Sequence, residues 1–436
     1  MELSFKIITL GCKVNQYESA YLKEALSLFG WRQALGGKRP DVTVVNTCIV
    51  TRKAAHQSRQ AIRRAIRENP EGIVAAIGCY AQVFPDELSG IDGISLIAGN
   101  TVKGQVPKLL LNIAESGKKS IILKNFEKGM PFEFLKVRRF PGRARAYLKV
   151  QDGCESYCAY CIVPFARGPL RSLPINKILS MIKTLSEEGY EEIVLTGIHL
   201  GKYGIDLGAG ENLLCLLYAI DRESFPVRIR LSSLEPSEIL PDIVEMASSC
   251  NSLCRHFHIS LQSGDDGVLA RMNRKSLSRF FVKLVNDISF RIPLAAIGVD
   301  IMAGFPKEDM AAHQNTCSLL KDLPISYLHV FPFSPRPGTA ASHFGGLLDP
   351  KIIKARALEL REIGRNKKVL FYQRCLKKEF HVLAEGWYLK ENGIMKGMTD
   401  NYLPVLFPGT ETDKNRLIPV MMESAEDNMM IGSKII

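Results

Sequence analysis

The chain has 436 residues, 46% of them hydrophobic and 23% charged, and 57 Lys and Arg against 45 Asp and Glu leave a formal net charge of +12. That length exceeds one ordinary core and predicts two or three domains, while the balanced composition excludes a disordered or fibrous chain. No apolar run approaches the roughly 20 residues that cross a bilayer, and Met1 to Gly11 lacks a basic leader, so no membrane partner and a cytoplasmic location are expected.

Residues 1–116 alternate short apolar runs with amphipathic stretches. Phe5–Leu10, Val42–Val45, Ile73–Ile77 and Ile94–Ala98 read as buried strands. Asn15–Phe29 reads as a helix with Asn15 as N-cap and Gly30 as its stop. The alternation predicts a small parallel α/β sheet. Cys12, Cys48 and Cys79 each follow one of its strands. The carboxyl ends of parallel strands share one edge, where ligands bind, so three cysteines far apart in sequence converge there as a three-thiolate site. The competing reading is three small buried residues near loops. Arg52, Lys53, Arg59, Arg63, Arg64 and Arg67 load one helix, which reads either as a solvated face or as phosphate contacts.

Residues 117–139 read as a linker, and the Lys, Arg, Pro and Gly-rich character runs on to Arg145. There Arg138, Arg139, Arg143 and Arg145 are candidate phosphate contacts, or simply solvated. Residues 140–370 carry a repeating β-then-α rhythm, with strands at Ala146–Val150, Glu192–Thr196, Val227–Leu231, His256–Leu261, Ala296–Ala303 and Tyr327–Phe333. Six units are fewer than the eight of a closed βα barrel and predict a partial one with an open side. Residues 371–436 lose the helical period and read as a small antiparallel β-barrel with Gly and Asn turns.

After the first strand of the partial barrel comes Cys154-Glu155-Ser156-Tyr157-Cys158-Ala159-Tyr160-Cys161. Three thiolates at C-x-x-x-C-x-x-C spacing cap three irons of a cubane cluster, and no fourth cysteine follows at ligand spacing. Structural zinc would want four closed ligands, and neither a second C-x-x-C nor suitable histidines are present. An odd count of eleven cysteines also argues against a closed disulfide framework. Cys250 and Cys254, at helical i, i+4 spacing, read as packing residues.

The spacing of the three cysteines resembles that of the radical S-adenosylmethionine (SAM) enzymes. Gly11–Ser19, Asn46–Thr51, Gly78–Gln82 and Ile162–Ser172 together resemble the methylthiotransferases over essentially the whole chain, and the tail resembles a TRAM domain, a small RNA-binding barrel. This resemblance implies two [4Fe–4S] clusters, one on Cys12, Cys48 and Cys79 that handles sulfur and one on Cys154, Cys158 and Cys161 that binds SAM. It implies that SAM serves both as methyl donor and, cleaved reductively, as source of a 5′-deoxyadenosyl radical. An aromatic C–H is neither acidic nor electrophilic enough for ordinary acid–base steps, so a cofactor must carry the chemistry. Beyond the clusters no catalytic residue is assigned. Tyr160 is expected beside the adenine of SAM, and the strand-end residues Thr196, Gly197, Ser232, Glu235, Ser260, Gln262, Gly304 and Phe331 are expected to shape its pocket. Ordinary strand-end turns are the competing reading for each.

Gly11–Ser19, Leu195–Gly201 and Arg230–Pro236 look like the subgroup that adds a 2-methylthio group to N6-threonylcarbamoyladenosine 37 of tRNA. Implied partners are the tRNA anticodon stem-loop, a reductant such as flavodoxin or ferredoxin, and a sulfur donor. The alternatives are methylthiolation of isopentenyladenosine 37, a noncatalytic iron–sulfur protein that binds RNA or senses redox state, and a zinc-binding RNA module. Tyr402 is weighed as a base-stacking residue against core packing, and Glu423, Glu426 and Asp427 make the tail acidic for an RNA binder.

Overall fold

The computed structural model describes residues 3–34, 38–208, 210–250 and 252–435. Its first unit is a six-stranded sheet built from β1 (Ser4–Thr9), β2 (Arg32–Gln33), β3 (Val42–Thr47), β4 (Ile73–Gly78), β5 (Leu96–Ala98) and β6 (Ser120–Ile122). All pairings are parallel, in the order β2-β1-β3-β4-β5-β6. Every residue of β3 is buried, as its Val-Thr-Val-Val start suits a strand covered on both faces. Leu22, Leu26, Val106 and Leu110 from two helices cover Val42, Val44, Ala75 and Ile77 on one face. Ile62 and Ala65 of the helix Arg52–Glu68 cover Val45, Val74 and Ala76 on the other.

Two local expectations need correction. The first helix spans Lys13–Leu28 with Cys12 in the N-cap position, not Asn15. Asn15 sits inside the first turn, where its amide donates to the carbonyls of Leu10 (2.7 Å) and Thr47 (3.0 Å) and so ties two strand ends together. The segment read as a linker is largely irregular and exposed, but parts of it are built into the fold. Its residues Ser120–Ile122 supply the sheet's edge strand. The rest is a strap laid between the first two units, burying Leu135, Val137 and Phe140. Leu135 accepts from the Tyr17 hydroxyl, and Glu133 accepts from the Gly104 amide at 2.7 Å.

The central unit comprises β7 (Ala146–Lys149), the short antiparallel pair β8 (Gln151–Asp152) and β9 (Arg171–Ser172), then β10 (Glu192–Thr196), β11 (Arg228–Leu231), β12 (His256–Gln262), β13 (Ala296–Ala303) and β14 (Tyr327–Pro332). Two parallel triplets, β7-β10-β11 and β12-β13-β14, are joined by bridges at Ile229–Leu253 and Leu234–Ile259. The result is the expected six-stranded partial barrel. Alternate residues such as Ile193, Leu195, Ile229, Phe257, Val299 and Leu328 pack outward in one core with the helices. The opposite face is polar: His258 reaches Asp300 at 2.8 Å and Tyr327 at 3.0 Å, and His256 reaches Tyr327 at 2.8 Å.

A helix from Pro350 to Cys375 leads into a closed barrel of β15 (Glu379–Leu389), β16 (Ile394–Met398), β17 (Pro404–Pro408), β18 (Leu417–Glu426) and β19 (Met429–Lys434). It is antiparallel except where β17 and β19 run parallel to close it. This barrel docks under the amino ends of the central strands. Arg228 donates to the carbonyls of His381 and Met398, and Arg230 to those of Thr399 and Asp400, each at 2.8 Å. Both arginines also hold the buried Glu192. Tyr402 stacks on His256 with ring centroids 4.4 Å apart, and the Arg230 guanidinium lies over the Tyr402 ring at 5.3 Å. It packs between domains and is not a free platform for a base. Arg145 is likewise consumed in ion pairs with Glu192 and Glu385, and Arg139 pairs with Glu188. Cys250 and Cys254 share no helix: Cys250 follows the helix Pro241–Ser249, and Cys254 is buried in the loop before β12. Among the described residues no helix is long and apolar enough to cross a membrane.

Candidate active site: two cysteine triads joined by a buried ion network

Three neighbouring parallel strands, β1, β3 and β4, deliver Cys12, Cys48 and Cys79 to one sheet edge, so the convergence read from the sequence is present. Gly11 lies in the left-handed region, at φ +95, and a Cβ there would stand 2.7 Å from the Cys48 sulfur. Only glycine lets the first loop pass so close to the second cysteine. The Cys79 sulfur accepts from Asn100 Nδ2 at 3.5 Å and from Arg167 Nε at 3.3 Å. Burial pushes the Cys48 thiol up to about 12 and raises that of Cys12. Such thiols surrender their protons readily only to a metal, which supplies the compensating charge.

Cys154, Cys158 and Cys161 lie on the loop after β8, at the carboxyl end of the barrel. The loop is pinned by the Cys154 amide donating to Gly168 O (3.0 Å), the Ala159 amide to Met272 O (2.9 Å) and the Ala341 amide to Ala159 O (2.7 Å). Cys154 Sγ stands 3.3 Å from His199 Nδ1, and His199 Nε2 stands 2.6 Å from Glu238. Burial opposes ionisation of Cys154, yet His199 and Ser156 hold its thiol below the ordinary value. Cys158 lies 3.9 Å from the Arg274 guanidinium, which pairs with Glu235 at 2.6 Å. Burial pushes Cys161 up to about 12. All six thiols are free. Each triad presents three soft thiol donors and, among the described residues, no fourth cysteine beside them, which fits a cluster with one open iron.

A buried ion network runs from the first triad at Cys79 to Asp152, two residues before Cys154. Arg167 is 1% exposed. It touches Cys79 with Nε, donates to Asn15 at 2.7 Å and to Glu18 at 2.5 Å, and lies 3.5 Å from Asp152. Glu18 also pairs with Lys103 and, at 3.6 Å, with Lys149. Asp152 pairs with Lys149 at 3.0 Å and Arg171 at 3.8 Å. Against their own burial, these cations hold both carboxyls well below the usual range.

The residues expected around SAM fall into groups. Tyr160, next to Cys161 in the chain, is half-buried, its ring edge-on to Phe305 at 6.5 Å. Thr196 and Ser232 are buried at the ends of β10 and β11, and the Ser232 hydroxyl has no partner. Glu235 is engaged by Arg274, and Ser260 donates to Asp300 at 3.2 Å. Gln262 follows a bulge in β12 with φ +76. Phe331 shares a face of β14 with Tyr327 and His329, by strand alternation, and is 39% exposed. The two glycines serve packing: a Cβ at Gly197 would meet Gln151, and one at Gly304 would meet Ile353 of the long helix. Sequence reasoning missed Glu18, Asn100, Arg167, His199 and Arg274. Glu18, Arg167 and His199 lie in runs already singled out, Gly11–Ser19, Ile162–Ser172 and Leu195–Gly201, but nothing in the sequence pairs Glu18 with Arg167, 149 residues away.

A partial βα barrel with three cysteines on its first carboxyl-end loop defines a radical SAM enzyme, and residues 148–320 match the radical SAM superfamily. Members of that superfamily bind SAM and a [4Fe–4S] cluster. Residues 4–99 match a family described as uncharacterized protein family UPF0004. The chain is 36% identical to threonylcarbamoyladenosine tRNA methylthiotransferase MtaB of Aquifex aeolicus, covering 97% of this chain and 100% of that one. It is 35% identical to the protein of the same name from Bacillus subtilis, covering 96% and 93%. A tRNA-2-methylthio-N(6)-dimethylallyladenosine synthase of Moorella thermoacetica is 28% identical over 99% and 98%. Among solved structures, the radical SAM methyltransferase TsrM of Kitasatospora setae, with cobalamin and a [4Fe–4S] cluster, superposes with TM-score 0.56 at 14% identity, covering 78% and 77%; that is a likeness of fold. The chain belongs to the radical SAM methylthiotransferase family.

Proposed function

We propose that the protein adds a 2-methylthio group to N6-threonylcarbamoyladenosine at position 37 of tRNA. The observation that carries this reading is the pair of three-thiol sites, the first touched by the buried Arg167 guanidinium and the second on the loop that follows Asp152, a partner of the same arginine. Cys12, Cys48 and Cys79 hold one [4Fe–4S] cluster, and Cys154, Cys158 and Cys161 hold the other together with SAM. Bound there, these groups supply one-electron cleavage of SAM, a methyl donor and a sulfur carrier. The chain's own residues position and shield them. Gly11 admits Cys48 to its loop, Arg167 and Asn100 stabilise charge on Cys79, and His199 and Arg274 do so on Cys154 and Cys158. Tyr160 and the ends of β10 to β14 line the SAM side.

The net charge of +12 and the basic face of Arg52–Glu68 suit an RNA partner. The choice of the threonylcarbamoyl nucleoside over its isopentenyl counterpart is supported by relatives named for the former at 36% and 35% identity, against 28% for one named for the latter. A reductant such as flavodoxin or ferredoxin, a sulfur donor and a cytoplasmic setting complete the proposal. Anaerobic reconstitution should load about eight irons per chain, falling to about four when either triad is replaced by alanine. Nucleoside mass spectrometry of tRNA from a deletion strain should lose the methylthiolated threonylcarbamoyl species. Disappearance of the isopentenyl derivative instead would move the substrate, and a ceiling of four irons would remove the two-cluster chemistry.

A further inference from the structure

The loop after β14 reads Ser334-Pro335-Arg336-Pro337-Gly338-Thr339. Prolines on both sides of Arg336 restrict the backbone, and its carbonyl accepts from the Thr339 amide (3.1 Å) and hydroxyl (2.8 Å). The arginine is thus held on a fixed turn. Its side chain is only 7% exposed, yet Nη2 has no hydrogen-bond partner. A buried guanidinium left short of acceptors is costly, and at the wall of an open cleft it offers a donor that an entering acceptor can satisfy.

Arg336 lines a cleft of about 470 Å³ between the first and central units, shared with Arg52, Arg59, Tyr80, Glu87 and His343. Of its cations, Arg59 already donates to Tyr80 and stands 3.6 Å from Glu87. Arg52 and Arg336 have no acidic partner among the described residues. The cleft therefore keeps an excess of positive charge, and its lining includes Ile49, the residue that follows Cys48. An anion held by Arg336 would sit beside the first triad.

We infer that Arg336 binds the carboxylate of the substrate nucleoside, and that this contact selects the threonylcarbamoyl group over neutral N6 substituents. The inference rests on the substrate proposed above. A carboxylate fits better than a backbone phosphate because Arg336 is buried in a cleft that reaches the Cys48 loop at Ile49, the side from which the reacting nucleoside has to come. Phosphates of a bound strand stay outside and meet exposed arginines such as Arg52 at the rim. A planar guanidinium also offers a carboxylate two parallel N–H bonds, which a neutral isopentenyl chain cannot use. Stranding such a donor is the strongest form of discrimination against a substrate that lacks its partner.

The test is binding of anticodon stem-loop RNA to anaerobically reconstituted enzyme, read by fluorescence anisotropy. Three RNAs are compared: one with N6-threonylcarbamoyladenosine, one with its neutral carboxyl methyl ester, and one with unmodified adenosine. The native enzyme should prefer the acid over the ester by roughly ten- to a hundredfold. Arg336→Gln should abolish that preference by weakening the acid alone, and Arg336→Lys, which keeps the charge, should restore part of it. Iron content and the cluster EPR spectrum report that each variant is folded and loaded. An acid preference that survives Arg336→Gln overturns the assignment, as does an equal loss on all three RNAs with a shallower salt dependence, which would mean a phosphate contact. A changed EPR signal with selectivity intact would make Arg336 a cluster neighbour and overturn it too. A native enzyme with no preference for the acid would remove the threonylcarbamoyl reading itself.

Discussion

Replacing Arg167 by methionine removes the guanidinium that touches both halves of the site while keeping most of its volume. Four contacts go: Glu18 at 2.5 Å, Asn15 at 2.7 Å, the Cys79 sulfur at 3.3 Å and Asp152 at 3.5 Å. Removing one partner of a buried ion pair costs about 3–5 kcal/mol. Here the stranded anions are not left alone, since Glu18 keeps Lys103 and Lys149, and Asp152 keeps Lys149 and Arg171. The low end, about 3 kcal/mol, is therefore expected. Buried Trp31 in the first unit reports its unfolding in urea once Trp387 is changed to phenylalanine. With a slope of about 1–3 kcal/mol per molar, the midpoint should fall by about 1–3 M. A double-mutant cycle with Glu18→Gln should show a coupling of roughly 1–3 kcal/mol between the two positions. A midpoint unchanged to within about 0.2 M would refute the argument that this arginine joins the two units.

Two further outcomes follow from the geometry. Gly153 lies at φ +79, and a Cβ there would collide with the Pro169 carbonyl; Gly153→Ala should therefore halve reconstituted iron from about eight to about four per chain by misplacing the Cys154 loop, and full iron loading would contradict it. Glu192 is fully buried, and Arg230, Arg228 and Arg145 overcome that burial to hold its carboxyl far below the ordinary value of 4.5. A lowered folded value means that the stabilisation is fully present above about pH 4.5 and drains away as the pH falls below it. Glu192→Gln should accordingly lose less stability than the native protein between pH 6 and pH 3 in urea titrations, and equal losses would show that Glu192 contributes nothing to acid unfolding.

Much of the architecture was legible because it rests on local period and on chain direction. Strands such as Val42–Thr47 are short apolar runs, and once they are parallel the cysteines after them must share an edge. What stayed hidden depends on partners that pattern does not reveal. Glu18 looks like an ordinary helix carboxylate until Arg167, Lys103 and Lys149 close around it. The strap failed for a related reason: its apolar residues Leu135, Val137 and Phe140 have no secondary-structure period, since two neighbouring units and not one supply their cover. Core packing was the better of the two readings of Tyr402, but its second partner was hidden, since a positive-φ turn, at φ +65, aims it at His256 of another domain.

That woven strap has a practical bearing on anyone who wishes to dissect the molecule. Phe126 lies under the Arg171 guanidinium at 5.0 Å and Phe132 under the Lys149 ammonium at 5.1 Å, while Tyr17 grips the backbone at Leu135 from the opposite side. Expressing residues 146–436 by themselves would strip this lining and bare the aromatic and aliphatic faces it hides. Scissors placed at the apparent gap in the sequence would cut through an interior seam, and the fragments should stick to one another or to themselves.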